Sequence, residues 1–231
     1  LQRVIVSEIT FAEGIKVEAT MPTALAEATG NRRERRQRAM LDAAKRLFLE
    51  NGYERTTIGD ILAVSGGSRS TLVDLFGGKE GLFGEVLLES TRHVQAIFDT
   101  LETSDAPLET ALSDTAHRFV ETIFEDETMA ILRILVAEGP RFPEIAETFF
   151  RLGPDSGIAK LTAYFRRCID AGLLRPIDPK MLAYAFCGMI LGDAELRAAV
   201  GDSLVKQRSL VQARLSSAIE IFLGGAGILR K

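Results

Sequence analysis

Thr57-Ile58-Gly59-Asp60-Ile61-Leu62-Ala63-Val64-Ser65-Gly66-Gly67-Ser68-Arg69-Ser70-Thr71-Leu72-Val73-Asp74-Leu75-Phe76 is the stretch that decides the fold. Thr57 followed three residues later by Asp60 resembles a capping box, with Asp in place of Glu. Ile58, Ile61 and Leu62 then recur at helical spacing. Ser65-Gly66-Gly67 interrupts that helix, and Ser68 offers the cap of the next. Leu72, Leu75 and Phe76 point that second helix inward, and Gly77-Gly78 ends it. Two short helices joined by a tight glycine turn have the length and spacing of a helix-turn-helix. Neither can bury enough apolar surface alone, so a third helix must pack across both. The outer face of the second helix, Arg69, Ser70, Val73 and Asp74, is left to enter a major groove. The helix N-termini at Thr57, Ser68 and Lys79 each present backbone N–H groups suited to phosphates. An acid in that face, Asp74, repels phosphate unless it accepts from cytosine N4 or forms a local salt bridge.

On the N-terminal side, Met40, Ala43, Ala44, Leu47 and Phe48 form one apolar stripe of a helix predicted over 35–50, stopped by Asn51-Gly52. Before it, Arg32, Arg33, Arg35, Arg36 and Arg38 crowd into one short run. Beside a helix-turn-helix such a run reads as an arm on phosphates or in a minor groove; alone it would be a solvated helix start. Residues 1–30 read as a flexible extension. Val4, Val6, Ile9 and Phe11 are spaced like a strand without an evident partner, and Met21 is an alternative start.

On the C-terminal side, Lys79-Glu80 opens another helix, with Leu82, Phe83, Val86 and Leu87 apolar. Helices are expected near 80–102, 107–125, 128–138, 143–152, 155–171, 179–192 and 203–223, with breaks at Pro107, Gly139-Pro140, Gly153-Pro154 and from Gly172 to Pro179. The expected class is all-α. A three-helix DNA-binding domain over 31–78 precedes a larger helical domain over 79–231 that binds ligand and dimerises.

Composition narrows the function. The 231 residues are 46% hydrophobic, enough for a sizeable core. The net charge of −4 hides an asymmetry: residues 31–84 hold ten basic and seven acidic side chains, whereas the flanking segments are net acidic. A small phosphate-binding module attached to an acidic domain has this distribution. Cys168 and Cys187 sit in apolar helical patterns and read as reduced core residues. His93 and His117 lie far apart, each without a second ligand type nearby, so no metal is expected. Gly77-Gly78-Lys79-Glu80 lacks the spacing and the Ser/Thr of a nucleotide-binding loop. With no Ser/His/Asp grouping, neither an enzyme nor a cofactor is expected. The absence of a bilayer-length apolar run and of a basic, apolar leader in Leu1–Thr20 points to a cytoplasmic chain without membrane contact.

Gly52-Tyr53-Glu54-Arg55-Thr56-Thr57-Ile58, Asp60-Ile61-Leu62-Ala63, Ser65-Gly66-Gly67-Ser68-Arg69-Ser70-Thr71-Leu72, Phe76 and Lys79-Glu80-Gly81-Leu82-Phe83 together resemble the DNA-binding domain of TetR-family (TetR/AcrR type) transcriptional regulators. Ala137-Glu138-Gly139-Pro140-Arg141-Phe142-Pro143-Glu144 resembles the AefR-like branch of that family. The resemblance implies a ligand-responsive regulator, usually a repressor, binding a palindromic double-stranded DNA operator as a homodimer. By position it implies that Thr57 and Lys79 hold phosphates, that Arg69, Ser70 and Thr71 contact bases or backbone, and that Tyr53 packs the three helices together. Three positions depart from the family pattern: Val73 replaces a Tyr, Leu75 a His or Tyr, and Gly67 a Val. These departures are the support for an alternative, a helical small-molecule-binding protein with a weakened DNA-binding module.

The excess of Phe, Leu and Ile in the second domain suggests a small apolar ligand, uncharged or weakly anionic. Phe119, Ile123, Phe150, Phe165 and Phe186 are the expected lining, with Arg133, His117 and Glu138 as polar anchors. The dimer is expected through 179–192 and 203–223, where Ala183, Ala185, Gly188, Leu191, Ala218, Ile219 and Phe222 suit close packing. Val73 cannot donate the hydrogen bond of the Tyr it replaces, a bond worth about 1 kcal/mol. Val73→Tyr should therefore tighten operator binding about fivefold per half-site. An unchanged or weaker affinity in a gel-shift titration would remove Val73 from the groove.

Overall fold

A computed structural model describes residues 6–10, 16–20 and 23–227, with side chains from Arg32 onward. β1 (Val6–Thr10) pairs antiparallel with β2 (Lys16–Thr20), Val6 opposite Thr20 and Thr10 opposite Lys16. The strand-like spacing thus has a partner in Lys16–Thr20; Val4 and Phe11 lie outside the described residues. α1 runs Thr23–Asn51, beginning well before the helix expected at 35. Its first turns are alanine-rich, and alanine favours helix even where no apolar stripe advertises one.

α2 (Ile58–Ser65) and α3 (Arg69–Phe76) form the helix-turn-helix. The box at the start of α2 is real: Thr57 N–H donates to Asp60 Oδ2 at 2.9 Å, and Asp60 N–H donates to Thr57 Oγ1 at 3.2 Å. The Thr57 hydroxyl, which also donates to Asp60 Oδ2, and then the Thr57 N–H hold the Asp60 carboxyl below the usual carboxylate range. The remaining helices are α4 (Lys79–Glu102), α5 (Leu108–Ile123), α6 (Asp126–Glu138), α7 (Pro143–Leu152), α8 (Pro154–Asp170), α9 (Pro179–Leu191), α10 (Ala194–Ala199) and α11 (Leu204–Ala226). α10 was not anticipated: six residues between Gly192 and Gly201 are too few to show a period. Among the described residues no helix is long and apolar enough to cross a membrane.

Two apolar cores divide the body. The first joins Met40, Leu41, Ala44 and Phe48 of α1 to Ile61, Leu72 and Phe76, and continues through Leu82, Phe83, Val86 and Leu87 into Ile131, Ile134, Leu135 and Ile145. Packing therefore crosses residue 78 without a break. The second core gathers the far half of α4 with α5, α8, α9 and α11 around Phe119, Phe165, Phe186 and Phe222. α4 gives its first turns to one core and its last turns to the other, and α6 also contributes to both, Met129 to the second and Ile131, Ile134 and Leu135 to the first.

Phe83 sits at the centre of the first core, its ring 5.0 Å from Phe48 edge-on and 5.0 Å from Tyr53. Phe83→Ala should lower the unfolding free energy by about 3–5 kcal/mol. Phe150, 55% exposed, gives the control: Phe150→Ala should cost less than about 1 kcal/mol. Urea denaturation of the two variants checks this, and equal losses would contradict the packing described.

Candidate nucleic-acid interface and apolar cavity

The outer face of α3 is open as the sequence predicts. Arg69, Ser70, Val73 and Asp74 are exposed, while Leu72 and Phe76 are buried and Leu75 packs inward against the first core. Leu75 is half-buried, which places it with the core rather than on the outer face. Ser68 caps α3 by accepting from Thr71 N–H at 3.1 Å. Its Oγ also lies 2.9 Å from Ser70 Oγ and 2.8 Å from Thr71 Oγ1, so three hydroxyls cluster at the helix N-terminus. Gly67 has a structural reason: at φ 96° a Cβ there would lie 2.6 Å from the Met40 methyl. The valine of the family pattern does not fit against α1 in this turn.

Four expected phosphate-holding side chains make contacts within the protein. Thr57 donates its hydroxyl to Asp60 Oδ2 at 2.7 Å and starts α2. Lys79 donates to the Glu54 carbonyl at 3.2 Å and stands 4.3 Å from the centre of the Tyr53 ring. Burial lowers its pKa, partly offset by Glu138 and Glu54. Arg36 donates to the Ser65 carbonyl at 3.1 Å, closing the C-terminal end of α2 against α1. Arg38 likewise bridges Asp42 at 3.0 Å and Glu89 at 3.1 Å, tying α1 to α4. Arg32, Arg33 and Arg35 are exposed on α1. Arg32 lies one turn before Arg36, on the face that looks toward the 65–67 turn and the start of α3.

The segment that carries the AefR-like resemblance packs on the helix-turn-helix. Phe142 meets Tyr53 at 5.1 Å with the rings near-perpendicular. Arg141 forms a two-pronged pair with the Glu54 carboxylate, and Glu138 Oε1 accepts from Glu54 N–H at 3.3 Å. Tyr53 is buried in this clasp, and burial with Glu80 and Glu144 nearby pushes its pKa up to about 12. The clasp thus occupies Glu138, one of the expected polar anchors of a ligand. The other two are elsewhere as well: Arg133 donates to the Ala198 carbonyl at 3.2 Å, and His117 Nδ1 lies 2.8 Å from the Ser113 carbonyl on the surface.

Beyond the clasp, a cavity of about 260 Å³ opens between α4, α5, α6, α8 and α9. Phe119 and Ile123 line it, as expected, together with Val94, Phe98, Leu132 and Ile158. Phe150, Phe165 and Phe186 do not. Phe165 and Phe186 stack on Phe222 at 5.5 and 5.4 Å inside the second core, and Phe150 faces outward. Helical phase explains each displacement. On α7 the inward face carries Ile145 and, one turn on, Phe149, which does line the cavity. On α9, Leu182, Ala183, Phe186 and Ile190 face the core, leaving Tyr184, Cys187 and Leu191 for the cavity. The charged side chain in the wall is Glu195 of α10. Burial pushes its carboxyl above the usual carboxylate range. Burial and the nearby Glu195 together push the Cys187 thiol up to about 12. Sequence reasoning missed Glu195 because the helix that carries it was missed.

Away from the cavity, α9, α10 and α11 expose Met181, Met189, Leu196, Val200, Val205, Leu210 and Ile221, and the cavity-lining Tyr184 is exposed as well. Of the residues expected at a dimer contact there, Ala183, Ile219 and Phe222 are instead buried within the protomer, while Ala185 and Gly188 are exposed. The exposed apolar positions on α9 and α11 thus overlap the expected set only in part.

Comparison with known proteins agrees with both halves of this architecture. The family model for bacterial regulatory proteins of the tetR family matches residues 40–86, and that for the AefR-like transcriptional repressor C-terminal domain matches residues 110–225. The chain is 45% identical over 49 residues to the HTH-type transcriptional repressor ComR of Escherichia coli (strain K12), which is 21% of this chain and 23% of ComR. It is 46% identical over 48 residues to the HTH-type transcriptional regulator QacR of Staphylococcus aureus, 21% of this chain and 26% of QacR. These two matches therefore span about a quarter of each relative. Among solved structures, a TetR-family regulator from Mesorhizobium loti MAFF303099 superposes with a TM-score of 0.72 at 24% identity, covering 85% of this chain and 99% of the other. The flavonoid-responsive regulator FrrA superposes with a TM-score of 0.69 at 25% identity, covering 85% and 100%. Since the AefR-like model alone matches half of the chain and the DNA-binding model covers its helix-turn-helix, the chain belongs to the TetR family of bacterial regulatory proteins.

Proposed function

We propose that this chain is a repressor that binds a palindromic operator as a homodimer and releases it when a small molecule with an apolar body enters the cavity. The observation that carries the reading is the course of α4. It begins two residues after the recognition helix and lines the cavity through Leu87, Ser90, Thr91, Val94 and Phe98. A molecule that pushes on the far half of α4 moves a rigid rod whose near end sets the position of α3. In a dimer, a small change in that position alters the spacing of two recognition helices that must meet half-sites one duplex turn apart. FrrA is named as responsive to a flavonoid, which supports an effector-controlled reading of the shared fold.

At the operator, Arg69, Ser70, Val73 and Asp74 face the groove floor. Phosphate is met by the N-terminal amides of α3 and by Arg32, Arg33 and Arg35. Thr57, Lys79 and Arg36 act indirectly, by holding α2 and the loop before it in place. The exposed apolar face of α9 to α11 is the self-complementary surface a two-fold dimer requires.

Footprinting on the DNA flanking the gene tests the reading. A protected palindrome is expected, with Arg69→Ala weakening binding at least tenfold, the loss of a charge-assisted contact of about 1.5–3 kcal/mol. Arg32→Gln with Arg33→Gln should instead lower the salt dependence, by about 0.9 in log–log slope for each phosphate contact removed, with little change in operator preference. Absence of any salt-dependent, sequence-selective binding would leave the cavity as the functional site of a small-molecule-binding protein.

Static light scattering at micromolar concentration should give twice the 25.3 kDa chain mass. Val205→Asp with Ile221→Asp, at positions 76% and 61% exposed in the protomer, should give the single-chain mass. A monomeric wild-type chain would sink the dimer.

A further inference from the structure

The wall of the cavity is apolar on nearly every side, built from Val94, Phe98, Phe119, Leu132 and Phe149 among others. Ser90, Thr91 and Thr128 add hydroxyls, and Glu195 adds a carboxyl. No arginine, lysine or histidine lines it. No hydrogen bond or ion pair from a described residue reaches the Glu195 carboxyl, and no cation of the chain lies near enough to offset its burial. Cys187 and Tyr184, which share the wall from α9, bring no positive charge either.

An acid in such a place is a cost to the folded chain unless something else satisfies it. Neighbouring α10 positions were open to apolar residues: Ala194, Ala198 and Ala199 are buried on the same short helix. We infer that Glu195 makes this cavity a receptor for an organic cation, a molecule with an apolar body and one protonated amine. The inference rests on the effector-cavity reading above and names the ligand class. It replaces the uncharged or weakly anionic ligand expected from composition.

The energetics favour a cation over a neutral or anionic guest. The carboxyl sits half-buried in the wall with no cation beside it, so an entering ammonium meets an acid that is already partly desolvated and unpaired. Low-dielectric walls then strengthen their attraction. A carboxylate guest would place two acids together with no cation between them, which the same walls make more costly. The rings of Phe98, Phe119, Phe149 and Tyr184 line the same space, and aromatic rings attract a positive charge over their faces. At about 260 Å³ the cavity sits at the small end of ligand sites, which suits a single-ring amine.

A matched series separates charge from shape: 4-phenylbutylamine, 4-phenylbutan-1-ol and 4-phenylbutyrate share a body and differ only at the terminal group. Calorimetric titration of the full-length chain at neutral pH should rank amine over alcohol by at least about tenfold, with the carboxylate weakest. Glu195→Gln should bring the amine to within about twofold of the alcohol and leave the alcohol's own affinity unchanged. An alcohol or carboxylate that binds wild type as tightly as the amine would overturn the inference. So would an amine preference that survives Glu195→Gln. The wild-type ranking stands even if that variant folds poorly. Val94→Phe, which fills the cavity, should abolish binding of the alcohol. If alcohol binding persists in Val94→Phe, or if no member of the series binds wild type, the effector-cavity reading fails, and the assignment of charge falls with it.

Discussion

The contact between Tyr53 and its aromatic neighbours is the constraint on which the rest of the molecule depends. α2 and α3 are eight residues each, too short to hold helical structure alone. Phe48, Phe83 and Phe142 enclose Tyr53 from α1, α4 and the loop before α7, with centroids 5.0–5.6 Å away. One ring therefore belongs to the DNA-reading unit and to the helical body at once. The charged part of the same clasp, Glu54 with Arg141, lies on the surface, where solvent screens it, and it adds orientation more than stability. Aromatic packing fixes the joint, and the ion pair fixes which way the loop faces.

That joint explains how a signal can travel. The first core includes residues of α6 and α7, so the helix-turn-helix has no independent hydrophobic interior to rotate on. Any movement of α3 must be shared with α4, α6 and α7. Of these, α4, α6 and α7 meet the cavity: Leu87 and Ile131 are buried in the first core and also line the cavity wall. A guest changes packing on one side of those side chains, and close-packed interiors pass such a displacement on rather than absorb it. What is required is two arrangements of the joint that bind the guest with different affinity.

Much of this was legible in the sequence and some was not. The capping box at Thr57, the glycine turn and the inward stripe of Leu72, Leu75 and Phe76 were local signals, and local signals survive folding. The helices from 79 onward were legible because proline and glycine punctuate them. Side-chain partnerships were harder. Lys79 and Arg36 look like phosphate ligands in a linear reading, yet their acceptors, the Glu54 and Ser65 carbonyls, lie 25 and 29 residues away. The cavity lining failed for a different reason. Choosing Phe150 over Phe149, or Phe186 over Cys187, requires the phase of a helix to within one residue, and apolar residues on both faces blur that phase. Glu195 was hidden because a six-residue helix has no period to read.

The charge on the DNA side needs the same correction. Ten basic residues between 31 and 84 suggest a broad positive surface. Arg36, Arg38, Lys45, Arg55 and Lys79 are all turned to acceptors within the protein: two main-chain ties to the helix-turn-helix, two acid pairs to α4 and α6, and one local bond to the Asn51 carbonyl. Half of the positive charge therefore builds the scaffold that presents α3. Counterion release depends only on charges that replace cations at the phosphates, so the segment's net charge overstates its electrostatic affinity. In the proposed interface the exposed basic side chains are Arg69 and, in the third and fourth turns of α1, Arg32, Arg33 and Arg35, beside the uncharged amides at the start of α3. An interface built that way relies on geometry, two copies of α3 held at the correct separation, more than on field strength. It is therefore sensitive to a small displacement of α4, which is the property a ligand-controlled repressor needs.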